Sequence, residues 1–139
     1  MEQRDLLKDQ IEQLGKVLAR IMASFLGFKA EGHINEGIET ANKQLISELD
    51  IDIEKMLSLD KEILKVYLKE RKLVAAHLEI LAEYLIETGE YNIKKDKHKA
   101  KINLTKALEF LEISDEFSKT MSFVRVSSKK KIENLLQMC

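Results

Sequence analysis

LKERKLVAAHLEILAEYLIETGEYN, residues 68–92, is a strongly amphipathic segment. Leu78, Leu81 and Leu85 lie on one face of a helix, because they follow one another at helical spacings of three and four residues. Gly89 comes after them, and glycine is the usual left-handed residue just beyond a helix end. The segment therefore predicts the first helix of an antiparallel helix pair, ending near Gly89.

The composition of the whole chain favours helices as well. Of its 139 residues, 45% are apolar and 34% are charged; it has five glycines and no proline. Alternating runs of β-branched residues, which are typical of strands, do not occur. A chain of this length suits one domain with its own core. We therefore expect a single all-α domain of about six helices, spanning residues 1–139.

The first predicted helix, about residues 3–30, carries a seam of apolar residues at alternating spacings of four and three. The seam consists of Leu7, Ile11, Leu14, Leu18, Ile21 and Phe25. From Val17 onward the apolar surface widens around the helix, and a large apolar patch seldom stays exposed on a monomer. This predicts an oligomer interface formed by Leu18, Met22, Phe25 and Leu26. The alternative is that the last helix folds back over the same face.

The other predicted helices follow from periodicity and from residues that cap helix ends. Gly32 is expected to end the first helix. The expected N-caps are Asn35, Asp52, Ser58 or Asp60, and Ser122. The predicted helices cover residues 35–49, 53–58, 61–68 and 71–88, then a segment from the lysine-rich stretch to about 114, and 123–137. The sequence leaves open whether 61–68 and 71–88 form one continuous helix.

Two segments share a pattern of small and apolar residues around a glycine. In residues 75–112 it consists of Leu78, Leu81, Ala82, Leu85, Gly89, Tyr91, Ala100, Leu104, Ala107 and Leu108. In residues 18–50 it consists of Gly32, Ile34, Ala41 and Leu45. Both segments resemble the tetratricopeptide repeat, a pair of antiparallel helices.

This resemblance covers about half of the chain. The 75–112 segment contains an insertion of roughly six residues, Phe25 and Gly37 replace the small residue and alanine of the repeat in the 18–50 segment, and neither segment ends in proline. Through IEQLGKVLARI, residues 11–21, and the order of its helices, the chain is similar to a family of small bacterial tetratricopeptide-like proteins of unknown function. The resemblance implies a fold and protein binding, and it implies no chemistry.

Glu79, Glu83 and Glu87 form an acidic row, since they recur every four residues along one helix. The residues one turn beyond the row are Ala75 and Tyr91, so no base lies at that spacing. In the register of the tetratricopeptide-like resemblance, the row lies on the concave side of the helix pair. It then predicts a groove that binds a basic or N-terminal segment of a protein partner. An ordinary solvated helix face explains the row as well.

The C-terminal third of the chain is basic, with 11 basic and 6 acidic residues over 92–139. Its densest cluster is Lys94, Lys95, Lys97, Lys99 and Lys101, with His98 among them. Such a cluster suits phosphate contacts. However, only Tyr91 adjoins it, and the chain has no tryptophan on which bases would stack. A solvated loop is the favoured interpretation, and nucleic-acid binding is the alternative.

The sequence offers no residues for catalysis. Phosphate-binding glycine loops, CxxC pairs and the HExxH and GxSxG motifs do not occur. His33, His77 and His98 are far apart and lack ligand partners at metal-binding spacing. We therefore expect no enzyme activity, no cofactor and no metal site.

The sequence also predicts a cytoplasmic protein without a membrane span. No segment approaches the roughly 20 apolar residues of a transmembrane helix, and the N-terminal residues lack the apolar core of a signal peptide. The lone cysteine, Cys139, fits a reducing compartment.

The expected function is therefore a protein–protein interaction module or adaptor with a tetratricopeptide-like groove. One alternative is a homo-oligomeric structural protein that associates through the first helix. The other is a weak nucleic-acid binder that uses the basic C-terminal third.

Overall fold

The structure is a computed structural model that describes the backbone of residues 3–139 and the side chains of residues 7–139. This part of the chain contains helices and no strand, which confirms the all-α fold. Its seven helices are α1 (Gln3–Ala30), α2 (Ile34–Leu49), α3 (Ile53–Ser58), α4 (Lys61–Glu70), α5 (Ala75–Asn92), α6 (Lys97–Ser118) and α7 (Phe123–Leu136).

The contacts divide the chain into two compact units. Unit 1 ends at Leu73 and contains α1 to α4; unit 2 is Val74–Cys139 and contains α5 to α7. The expectation of one domain over residues 1–139 stays a prediction. None of the helices in the described range is long and apolar enough to cross a membrane.

In unit 1, α1 and α2 form an antiparallel hairpin. Gly32 has a left-handed backbone with φ of 82°, and His33 N–H donates to the carbonyl oxygen of Phe28 at 2.8 Å. This pattern ends α1 and reverses the chain, as expected for glycine just beyond a helix. Gly37 of α2 then lies against Phe25 and Phe28 of α1, where a Cβ atom would stand 2.8 Å from that of Phe28.

Most of the predicted helix caps are present. The Asp52 carboxylate caps α3, the Asp60 carboxylate caps α4 and the Ser122 hydroxyl caps α7, each by accepting a backbone N–H of the first turn. The prediction for Asn35 is wrong. Helix α2 begins one residue earlier, so His33 occupies the N-cap position without a side-chain hydrogen bond.

Helices α4 and α5 are separate. Lys72 adopts the left-handed conformation with φ of 59°, and Leu73 N–H donates to the carbonyl oxygen of Leu68 at 3.2 Å. Leu73 is buried. These features form a Schellman motif, which closes a helix with a hydrophobic residue after the left-handed one. A lysine in place of the usual glycine hides this helix end in the sequence.

Tyr67 ties the end of α4 to the connection between α2 and α3. Its hydroxyl accepts the N–H of Asp52 at 2.9 Å. The guanidinium of Arg71 stacks 3.4 Å from the centre of the Tyr67 ring and lies 3.2 Å from the Asp50 carboxylate. Because guanidinium groups favour both aromatic faces and carboxylates, this cluster fixes where residues 71 and 72 lie in unit 1.

In unit 2, α5 and α6 form a second antiparallel hairpin. The Ser114 hydroxyl donates to the carbonyl oxygen of Ala75 at 3.0 Å at one end, and Asn103 donates to the Thr88 hydroxyl at 3.4 Å near the other. The prediction that Gly89 ends the first helix is wrong, since α5 continues to Asn92. Gly89 instead faces α6, where its missing side chain allows Leu104 of that helix to approach closely.

We expect Gly89→Ala to lower the free energy of unfolding by up to about 2 kcal/mol, which is the cost of overpacking less the gain in helix propensity. The new methyl group would lie 2.8 Å from Cγ of Leu104, and overpacking of this kind costs about 1–3 kcal/mol, more than the roughly 1 kcal/mol gained in helix propensity. Gly27→Ala is the matched control, since nothing lies within 4 Å of its added atom. Urea denaturation followed by circular dichroism measures both. Equal effects of the two substitutions would contradict the close approach at Gly89.

Candidate partner-binding surfaces

The acidic row Glu79, Glu83 and Glu87 runs along α5, and α7 packs beside it. Oε1 of Glu79 lies 2.7 Å from Nη1 of Arg125, and Oε1 of Glu83 accepts a hydrogen bond from the Ser128 hydroxyl at 2.8 Å. Glu87 is half-buried. No base lies one turn from the row on α5, and the basic partner of the row comes from α7 instead.

Helix α7 runs parallel to α5. Residues that meet across the two helices advance in the same direction along both. Besides the contacts of Glu79 and Glu83, Lys131 approaches Glu90, with 3.9 Å between Nζ and Oε2. The pairs are Glu79 with Arg125, Glu83 with Ser128 and Glu90 with Lys131. A basic segment thus does lie on the acidic row, and it belongs to the same chain.

Arg125 is the centre of this contact and is only 5% exposed. Its Nε donates to Oδ1 of Asp115 at 2.6 Å, and its Nη1 donates to Glu79. Its Nη2 donates to the Ser118 hydroxyl at 3.0 Å and to the carbonyl oxygen of Thr120. A buried charge is tolerated only when it is paired and hydrogen-bonded, and here α5, α6 and the loop before α7 all supply acceptors.

The ionisation of this cluster is coupled to its geometry. Burial acts to raise the pKa of the Asp115 carboxyl, but the hydrogen bonds and charges of Lys129 and Arg125 outweigh burial and hold that pKa below its ordinary value of 3.8. Burial likewise acts to lower the pKa of Arg125, and Asp115 and Glu79 outweigh it, so the pKa of Arg125 is raised. The cluster therefore favours the charged form of both partners.

A different surface is open in unit 1. A groove of about 380 Å³ has an apolar floor and a polar rim, and we call it the α1 groove. Its floor is made of Leu7, Ile11, Leu14, Val17 and Leu49, and its rim of Gln10, Gln13, Glu48, Arg71 and Lys72.

The α1 groove exists because α1 is longer than its partner. At 1.5 Å per residue, the 28 residues of α1 span about 42 Å and the 16 residues of α2 about 24 Å. Gly37 packs near Phe28 and Glu48 pairs with Arg20, so α2 covers the C-terminal part of α1. The exposure of the seam residues therefore increases towards the N-terminus of α1. Leu18, Ile21 and Phe25 are buried, Ile11 and Leu14 are half-buried, and Leu7 is 49% exposed.

The predicted oligomer-interface residues are divided between the core and the surface. Leu18 and Phe25 are buried within the chain, and Phe25 packs against Gly37. Met22 is half-buried, and Leu26 is 49% exposed. Only the last two still offer surface to a second molecule. The interface prediction missed this division because the sequence does not show how much of α1 is covered by α2.

The basic cluster of the C-terminal third lies mostly on a helix and not in a loop. Lys97, Lys99 and Lys101 belong to the first turns of α6, whose N-cap is Asp96. Nζ of Lys95 lies 4.8 Å from the centre of the Tyr91 ring, so that ring already has a cation on its face. Lys129 and Lys131 of α7 pair with Asp115 and Glu90. Part of the basic charge is thus balanced within unit 2.

The remaining chemistry-bearing side chains are dispersed. His77 is buried, and its Nδ1 accepts the N–H of Val74 at 3.1 Å, so it stabilises the start of α5. His33 and His98 are exposed. Within the described part of the chain, no three His, Cys, Asp or Glu side chains are placed to hold a metal ion. Cys139 has no disulfide partner.

Comparison with known protein families, with curated proteins and with solved structures finds no match. The tetratricopeptide-like resemblance stays a prediction that rests on the helix-pair residues in 18–50 and 75–112. A functional proposal therefore rests on the geometry of the two hairpins, of the acidic row and of the α1 groove.

Sequence reasoning missed Arg125 and Lys72. A single arginine in a basic helix looks like part of a solvated face, and only the packing of α7 reveals that it is buried. Lys72 belongs to a helix end that carries no glycine signal. The signal for the α1 groove was present, since the predicted first helix is longer than the second by about three turns.

We expect the stability of unit 2 to fall in acid through Asp115. Because its folded pKa lies below the ordinary value of 3.8, its contribution is complete above that value and is lost as the pH falls towards the lowered pKa. Asp115→Asn should therefore lower stability at neutral pH and flatten the dependence on pH below about 5. Urea midpoints measured between about pH 2 and 7 test this. Glu133→Gln, at an exposed position of α7, is the control, and an unchanged pH slope in Asp115→Asn would contradict the role of the cluster.

Proposed function

We propose that this chain is a protein-interaction module that binds an amphipathic helix in the α1 groove. The single observation that supports this proposal is the open half of the α1 seam, where apolar side chains at helical spacing remain exposed or half-buried beyond the end of α2. Grooves of this kind bind the apolar face of a partner helix through residues spaced three or four apart.

The lining of the groove defines the chemistry of its ligand. Leu7, Ile11 and Leu14 suit leucine-like side chains, which would be removed from water on binding. Gln10 and Gln13 at the rim suit a polar margin. Lys72 is exposed at the same rim, so an acidic residue beside the apolar face of the ligand would add charge complementarity.

The tetratricopeptide-like fold is part of the same proposal. Support comes from the two antiparallel hairpins α1–α2 and α5–α6, and from α7, which runs parallel to α5 as the first helix of a next repeat would. Ala82 and Ala107, the small residues of the better repeat, are fully buried. Helical repeats of this class serve mainly as binding scaffolds.

We also propose the acidic row as a second contact surface, but only if α7 moves away from it. Glu79 and Glu83 are engaged by α7, so a basic partner would have to displace that helix. The α1 groove needs no such rearrangement and is the first place to look for a partner. We also propose a cytoplasmic location, since a single cysteine cannot form an internal disulfide.

The test uses a displayed library of amphipathic helices with apolar residues fixed at heptad positions a and d. We expect the wild-type chain to select members of the library. Ile11→Asp should weaken the binding of the selected peptides at least about tenfold, which corresponds to about 1.4 kcal/mol of binding free energy, because it places a charge on the apolar floor.

Ile63→Asp is the matched control, since Ile63 of α4 is 53% exposed and lies outside the groove. Its affinity for the same peptides should stay within about twofold of the wild type. Selected peptides that bind equally well to Ile11→Asp, or a library that yields no binder, would contradict the proposed function.

A further inference from the structure

We propose that the start of α7 is a membrane-contact site, which inserts apolar side chains into the surface of a bilayer that contains anionic phospholipids. The site consists of the loop before α7 and the first turn of that helix, residues 119–126. It lies within unit 2 and shares no residue with the α1 groove. The inference therefore goes beyond the proposed function and does not depend on it.

Large apolar side chains at this site are almost fully accessible. Phe123 is 95% exposed and Met121 is 87% exposed, the two highest values among the large apolar side chains of residues 7–139. Val124 and Val126 are exposed as well. Single exposed apolar side chains are ordinary on a protein surface, but four within six residues indicate a contact surface.

Hydrogen bonds hold the loop that carries these side chains. Nη2 of Arg125 donates to the Ser118 hydroxyl at 3.0 Å and to the carbonyl oxygen of Thr120. The N–H of Thr120 donates to the same hydroxyl at 3.3 Å. The buried arginine thus fixes the loop from the inside, while Met121 and Phe123 remain accessible on the outside. A contact surface that is fixed before binding loses less conformational entropy on binding.

The outer face of α7 continues the site. Arg125 and Ile132 are buried on the inner face, seven residues apart. Phe123, Val126 and Lys130 follow one another at spacings of three and four residues, so they share a face on the opposite side of the helix. All three are exposed. This face therefore has apolar residues in its first turn and a lysine one turn further on.

The charge of the segment indicates the kind of surface that it contacts. Residues 117–132 contain five basic residues and no acidic residue. Three of the five form ion pairs within unit 2. The other two, Lys119 and Lys130, are exposed and stand before and after the apolar residues along the chain. A complementary surface has negative charges outside and apolar groups beneath them, which is the order found in an anionic bilayer.

The shape of the site favours a bilayer over a protein partner. Protein interfaces concentrate their binding energy in well-packed pockets that exclude water. Phe123 contacts almost none of its own chain, so its side chain projects from the surface and lines no pocket. A projecting phenylalanine can enter the boundary between headgroups and acyl chains, as it does in helices that lie at the membrane interface. Long lysine side chains beside it reach back to the headgroups.

We expect the contact to be reversible. Only four apolar side chains are available, and the attraction between a lysine and an anionic membrane is screened by salt. Binding should therefore require anionic lipid and should weaken as the salt concentration rises.

Co-sedimentation of the full chain with vesicles tests the proposal. The wild-type chain should bind vesicles of equimolar phosphatidylglycerol and phosphatidylcholine, and bind much less to phosphatidylcholine alone. Phe123→Asp should weaken binding to the mixed vesicles at least about tenfold, because it replaces an apolar contact with a negative charge. Ile63→Asp, at an exposed apolar position of α4, is the matched control and should stay within about twofold of the wild type.

Two outcomes of this experiment overturn the proposal. One is a wild-type chain that does not bind the mixed vesicles. The other is a Phe123→Asp variant that binds them as well as the wild type does. Circular dichroism confirms that each variant keeps its helices.

Charge reversal tests the electrostatic part of the site. Lys119→Glu and Lys130→Glu should each weaken binding to the mixed vesicles at least about fivefold, which is roughly the contribution of one basic residue near an anionic surface. Lys43→Glu, at an exposed position of α2, is the control and should have little effect. Equal effects of all three reversals would mean that only net charge matters, and would overturn the location of the site.

Phe123→Trp tests whether this side chain enters the bilayer, because it introduces the only tryptophan of the chain. Its emission should shift to the blue with the mixed vesicles and should be quenched by lipids brominated in their acyl chains. Ile63→Trp should show neither effect. Unchanged emission of Phe123→Trp overturns the proposal. A blue shift that grows with protein concentration without lipid also overturns it, since a second copy would then cover the site.

Discussion

A helix can bury its apolar seam only along the length that its partner covers, and α2 is too short to cover α1. This mismatch determines the surface of unit 1. Where α2 is present, Leu18 and Phe25 become core residues; where it is absent, Leu7 stays largely exposed on the same seam. The turn at Lys72, which Tyr67 and its partners hold in place, adds a cation at the rim of the resulting groove. The groove is therefore a direct consequence of two helix lengths and one helix end.

In unit 2, the third helix, α7, buries few residues and is held by polar contacts to α5 and α6. Helices α5 and α6 each contain nine buried residues, whereas α7 contains two, Arg125 and Ile132. Arg125 requires acceptors because a buried charge without a partner is strongly destabilising, by about 3–5 kcal/mol in comparable cases. Glu79 and Asp115 supply them. The acidic row thus has a structural role in the folded chain, and unit 1 offers the more accessible docking surface.

The sequence predicts this structure best where the signal is local. Asp52 and Asp60 cap helices as expected, because a capping side chain acts on backbone groups within its own turn. The prediction for Gly89 is wrong because the sequence does not distinguish a glycine that ends a helix from one that allows a facing helix to pack closely. Lys72 was missed because its left-handed conformation depends on the burial of the next residue. Arg125 was missed because its burial depends on α5 and α6, far away in sequence.

Carbene footprinting of the wild-type chain with and without a helix selected from the library tests the central claim most directly, because the reagent labels side chains according to their exposure. In the free chain, Leu7, Ile11 and Leu14 should be labelled, with Leu7 comparable to Ile63, which has a similar exposed fraction. When the helix binds, labelling of these three residues should fall while that of Ile63 stays constant. Absence of labelling at these residues in the free chain, or labelling that does not change when the helix is added, would contradict an open α1 groove that binds a helix.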